Sequence, residues 1–268
     1  MNLFRSLSIT AFALACSAAC TDEVRDKKAV RHDEDDAGAA RESTKTLLAL
    51  TDVETNPDNY EWFDFRPNVK KLILAGAAET EHIAILWYTV ADGGVALHYH
   101  GKTESVYVID GTQTDAKGMY PTGTVYFNPP GSGHQITGSS GFFLLAYAAP
   151  PDFMSTDKIG EYTPIRIDTD AADLKSALAF EEKQVGVDTF APELDSAGGM
   201  SATFIESKSS RAYGYRGNYL VVLEGSCSID GVTHATDMLV VTKTVEPETF
   251  AVKAGNQGGR CLAMGVSF

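Results

Sequence analysis

Four runs dominate the apolar pattern of this chain: residues 83–90 (Ile-Ala-Ile-Leu-Trp-Tyr-Thr-Val), 105–109 (Ser-Val-Tyr-Val-Ile), 124–127 (Thr-Val-Tyr-Phe) and 142–147 (Phe-Phe-Leu-Leu-Ala-Tyr). Each is rich in β-branched or aromatic side chains and is bounded by Gly, Pro, Asn or Asp, which is how short strands between turns read. A helical rhythm is found only over residues 170–185. From residue 46 onward the pattern predicts an all-β fold, a sandwich or a barrel.

The first 20 residues follow a different pattern. A positive start ending at Arg5 precedes an apolar run over residues 7–15, too short to span a bilayer, and then Ser17-Ala18-Ala19-Cys20. This predicts an export signal over 1–20. The tetrapeptide is similar to a bacterial lipobox, which would make Cys20 the lipidated first residue of a periplasmic or outer-membrane lipoprotein; ordinary cleavage and soluble release is the alternative. Residues 21–45 mix both charge signs and hold almost no large apolar group, so they cannot offset the entropy of ordering and predict a flexible tether. His32 within it is expected to be solvated.

Charge narrows the function classes. With 22 Lys and Arg against 36 Asp and Glu, the formal charge is −14, which argues against a nucleic-acid-binding surface. Cys227 and Cys261 lie in apolar strand-like runs. In an exported chain they either pair as a disulfide or stay as buried free thiols.

The chemistry concentrates between residues 92 and 134. His98 and His100 stand two apart, so in a strand they share a face, and Glu104 follows a turn region that can bring it back to the same interior. Gly123 opens a second segment in which Pro129-Pro130-Gly131 forces a tight turn before His134. Three imidazoles and one carboxylate converging inside a barrel suit a divalent transition metal. A lone histidine is usually a satisfied side chain, and His82 and His234 are read so: His82 as structural, His234 as exposed at a turn.

The two segments resemble the paired motifs of the cupin superfamily. His98, His100 and Glu104 match the first motif through Gly111; Gly123, Pro129, Gly131 and His134 match the second. Gly93 is one residue closer to His98 than usual, and Gly138 stands where an Asn is common. The resemblance implies a jelly-roll barrel with a metal (Fe, Mn or Zn) held by His98, His100, Glu104 and His134, and dimerisation through sheet edges. Laying Gly111 over Gly225 also sets residues 124–127 over 238–241, and the apolar rhythm repeats. The four ligand positions then fall on Ala212, Gly214, Asn218 and Glu248. The whole therefore resembles exported bicupins, two tandem cupin barrels: a metal-binding domain at 46–154 and a degenerate one at 155–268 that covers sheet edges of the first.

Four protein ligands leave open positions on the metal, a catalytic rather than a closed structural arrangement. Between Arg66 and Arg166 there is no Arg, and the Lys residues are Lys70, Lys71, Lys102, Lys117 and Lys158, so no guanidinium is expected beside the metal to hold an anion. Lys102 points either to the site or to solvent. Trp87, Tyr88, Tyr99, Tyr107, Tyr126 and Phe127 suggest a small neutral or phenolic substrate, with Tyr99 and Tyr107 on the wrong face and Tyr88, Tyr126 and Gln135 either near the site or packing residues. The expected function is a metal-dependent oxidoreductase of dioxygenase type. A non-catalytic, surface-tethered protein that binds or senses a small ligand, and a zinc-dependent hydrolase, are the alternatives.

Overall fold

The computed structural model describes residues 43–171, 174–255 and 259–268. The expected signal, Cys20 and nearly all of the tether lie outside the described residues; at the tether's end Lys45 already begins a strand, Lys45–Ala49. The described chain is almost entirely β, in two antiparallel sheets matching the expected jelly-roll class. One contains eight strands and the other ten.

The eight-stranded sheet is built around three long strands, His82–Tyr99, Glu104–Asp115 and Gly133–Tyr147, with Gly133–Tyr147 hydrogen-bonded to both others. Thr124–Asn128 pairs with Glu104–Asp115, and Val69–Gly76 with His82–Tyr99. The ten-stranded sheet repeats the plan, with Tyr219–Ile229 paired to Cys261–Ser267 and to Met238–Thr242. Gly111 and Gly225, set over one another by the sequence, both adopt positive φ (84° and 77°), the left-handed conformation that glycine adopts without strain. Each sheet also holds one strand from beyond the boundary the sequence suggested. Lys45–Ala49 pairs with Met238–Thr242, and Ile165–Asp168 with Thr124–Asn128.

Why the strands are apolar on both faces follows from the packing. Leu86, Tyr88, Val106, Tyr126, Phe143 and Leu145 form a cluster inside the first barrel. Their neighbours of opposite parity, Ile85, Tyr107, Val125 and Leu144, join Phe204, Tyr219, Val221 and Met264 of the second sheet in one shared core. A third cluster, with Ile205, Leu220, Phe250 and Ala263, fills the second barrel. Strands buried on two sides read as continuous apolar runs. The second half thus covers a sheet face of the first and, through Ile165–Asp168 on Thr124–Asn128, one of its edges.

Two local expectations are corrected. Over residues 170–185 only Leu174–Ala177 is helical among the described residues, and Glu181–Gln184 is a strand paired with Val187–Phe190. Gly186, at φ +76°, turns the chain back so that ladder pairing outweighs the helical propensity of the Ala, Glu and Lys residues there. His234 is buried, not exposed, because its strand Val232–Ala235 sets it opposite Cys227. Cys227 and Cys261 are joined as a disulfide.

Candidate metal centre

His98 lies near the end of the strand His82–Tyr99, directly opposite His134 in the ladder to Gly133–Tyr147. His100 follows just past the strand end and is latched to the return turn by two backbone bonds: its N–H donates to Ser132 O (2.8 Å), and Gly131 N–H donates to its carbonyl (2.8 Å). Gly131 has φ +83°, and a Cβ on Gly133 would meet His98 O at 2.4 Å, so glycine at these positions lets the two segments close on each other. Glu104 opens the next strand and faces Tyr147 on one side and Asn128 on the other.

The four side chains are 3%, 1%, 2% and 4% exposed for His98, His100, Glu104 and His134, and one donor atom from each lies within 4.8 Å of all the others. Glu104 Oε2 is 3.3 Å from His100 Nε2 and 3.5 Å from His134 Nε2. Donors about 2.1 Å from a common ion stand roughly 3–4 Å apart, so little contraction is needed. The imidazoles are oriented from behind. His98 Nδ1 donates to Ala96 O at 2.8 Å and His134 Nδ1 to Asp115 Oδ2 at 2.8 Å, which leaves both Nε2 lone pairs facing inward. His100 has neither ring nitrogen hydrogen-bonded although both are buried, and a metal bond would satisfy one of them. Asn128 Nδ2 donates to Glu104 Oε2 at 2.8 Å.

Burial, with His100 and His134 adding to it, lowers the His98 pKa to about 3, and burial with His134 holds that of His100 well below its ordinary value. The lone pairs are therefore free at neutral pH, as a ligand set requires. Burial alone would raise Asp115, but the His134 hydrogen bond, the His134 charge and the N–H groups of Lys117 and Gly118 outweigh it, and its pKa is lowered.

The site opens on a narrow slot lined by Phe65, Leu86, Tyr88, Val95, Ile136 and Tyr147, with room for little more than one water molecule. Tyr88 places a buried hydroxyl there with no hydrogen-bond partner. At the mouth, the Phe153 ring lies 5.2 Å from that of His98. Tyr126 is a packing residue, stacked on Tyr120 at 4.1 Å, and Gln135 is exposed. Tyr107 faces the shared core and Tyr99 is half-buried outside the barrel. Lys102 is exposed and lies along Gly199.

Sequence reading missed Asp115, Asn128 and two cations. Lys71 is 1% exposed, its ammonium 3.2 Å from His82 Nε2 and over the rings of Phe65 (4.0 Å) and Tyr147 (4.8 Å). The Arg66 guanidinium lies 3.9 Å from the centre of the Phe153 ring and 4.5 Å from that of Phe65, and its Nη1 donates to Phe65 O, so it stands behind rings of which Phe65 lines the slot. A signal was present: Lys71 shares the parity of Val69, which faces the barrel interior.

Residues 50–149 match the model of the ChrR Cupin-like domain. No curated protein matches the chain. Among solved structures, a Nostoc punctiforme protein provisionally named a dioxygenase aligns with a TM-score of 0.53 at 10% identity, covering 83% of this chain and 82% of its own. A Bacillus subtilis oxalate decarboxylase variant aligns with a TM-score of 0.44 at 10% identity, over 82% and 76% of the two chains. The Lactobacillus farciminis oxalate decarboxylase, in complex with formate, also aligns with a TM-score of 0.44 at 10% identity, over 82% and 85%. At such identities the likeness is one of fold alone.

Proposed function

We propose that this protein is a metal-dependent oxidoreductase of dioxygenase type acting on a small neutral or phenolic molecule, with His98, His100, Glu104 and His134 as ligands of iron or manganese. The observation that carries the reading is the burial of three inward-facing imidazoles and one carboxylate around a single point, beside a slot walled by aromatic and aliphatic side chains. Four protein ligands leave one or two coordination positions free. A bound metal would supply Lewis acidity and, if redox-active, a place for dioxygen and substrate to meet.

The chain's own residues would do the rest. Asp115 holds the His134 ring, and Ala96 O that of His98, so that neither has to reorganise on binding. Asn128 keeps Glu104 turned to the site. The Tyr88 hydroxyl is placed to hydrogen-bond an oxygen of the substrate, and Leu86, Val95 and Ile136 exclude water around it.

We place the protein outside the cytoplasm, tethered by residues 21–45 and anchored by a lipid on Cys20. The Cys227–Cys261 disulfide supports an oxidising compartment. Metal analysis of the purified protein, with oxygen uptake on a panel of phenols and β-diketones, tests the proposal. Near-stoichiometric iron or manganese with oxygen consumption is the expected result. Zinc with hydrolysis, or metal with no turnover, would make it a hydrolase or a small-ligand binding protein instead.

A further inference from the structure

Four strands contribute to one row of side chains across the floor of the first barrel. His82 is opposite Tyr147, Tyr147 opposite Glu104, and Glu104 opposite Asn128. His82 is fully buried and its ring lies 4.8 Å from that of Tyr147. Its Nδ1 donates to Thr80 O at 2.7 Å, which leaves Nε2 as an acceptor, and the Lys71 ammonium donates to it at 3.2 Å. Lys71 enters this interior because it stands opposite Leu86, a wall of the metal-site slot. The row thus begins at a buried cation and reaches the carboxylate of the candidate metal centre two strands on.

Among the described residues no carboxylate pairs with Lys71; its partners are a neutral imidazole and two ring faces. Burial lowers its pKa to about 8, with the Glu104 charge opposing the shift, so it remains mostly protonated at neutral pH. The interior anions are Glu104 and Asp115, the latter already committed to His134. With a divalent ion on the ligand set, the interior is positively charged overall, in a chain whose formal charge is −14. A second cation, Arg66, lies over the rings of Phe65 and Phe153. A buried surplus of positive charge is costly unless an anion joins it.

We propose that the slot takes its ligand as a small oxyanion, an enolate, phenolate or short carboxylate, with Lys71 supplying the counter-charge opposite the metal. The proposal rests on the metal site read above and narrows its ligand to an anion, so that a molecule neutral in solution would be held there in its ionised form. Phe65 and Tyr147 cover the Lys71 ammonium and also line the slot, so the ligand lies either one ring away from the charge or against it after the half-buried Phe65 ring swings aside. In a water-poor interior a unit charge acts over both distances.

Acetate and acetamide share a shape and differ in charge; both are larger than the single water the slot holds as it stands, and enter as the half-buried Phe65 ring swings aside. Their dissociation constants are measured by calorimetry on the purified protein and on the Lys71→Met and Lys71→Arg variants, with metal content determined on the same samples. The wild type is expected to bind acetate about tenfold or more tightly than acetamide. Lys71→Met should lower that ratio several-fold at unchanged metal content, leaving only the preference the metal itself contributes, without lowering the melting temperature, and Lys71→Arg should keep most of the wild-type preference. A ratio unchanged in Lys71→Met overturns the proposal, as does a wild type that does not distinguish the pair. Lack of metal in the wild type would defeat the oxidoreductase reading instead, because the ratio is compared between variants at equal metal content.

Discussion

At the scale of single residues, orientation matters as much as identity. The ligand set offers few donors, and each works only if its ring or carboxylate is held. Asp115 is the clearest case: one oxygen accepts from His134 Nδ1, while the other accepts from the N–H groups of Lys117 (2.7 Å) and Gly118 (3.1 Å). Asp115→Ala frees the His134 ring to rotate and is expected to weaken metal affinity about 10- to 100-fold, with a smaller loss in Asp115→Asn, measured by competition with a chelator. The four candidate ligands and the return turn were legible from their spacing. Asp115 and Asn128 were not, because they act from another part of the strand and from a different strand, so no local pattern announces them. His82 and Lys71 were passed over for the same reason. Each looks unpartnered along the chain, and they meet only because neighbouring strands set them together.

At the scale of elements, the ladder decides what propensity leaves open. The segment 181–184 reads as helix from its composition, yet it becomes a strand once Gly186 turns it against its neighbour. The same pairing brings Cys227 and Cys261 together across the strands Tyr219–Ile229 and Cys261–Ser267. They close a loop with a sequence separation of 34, for which the chain-entropy model gives about 4 kcal/mol, toward the upper end of what is measured. Replacing both by Ala is expected to cost the protein about 2–4 kcal/mol in denaturant unfolding. Metal content should stay unchanged, because the bridge lies in the core of the other barrel.

At the scale of the whole molecule, the repeat in sequence becomes two barrels that share a core. Residues from both sheets, among them Leu144, Phe204, Tyr219 and Met264, pack into one cluster, and a strand from each half is paired into the other sheet. A chain cut after residue 154 would lose the strand Ile165–Asp168 and expose one face of its sheet to water. Such a fragment is expected to aggregate or lack fixed tertiary packing, checked by gel filtration and near-ultraviolet circular dichroism. Apolar runs and turn residues settled the all-β class, the four central strands of the first sheet, the repeat and the candidate ligands, since these depend on spacing within a few residues. Only the tertiary structure decided that the second barrel lies on a face of the first, that Cys227 meets Cys261, and that Lys71 and His82 join the row ending at Glu104 and Asn128. Those contacts come from strand register between distant segments, which is set by how whole faces bury against each other.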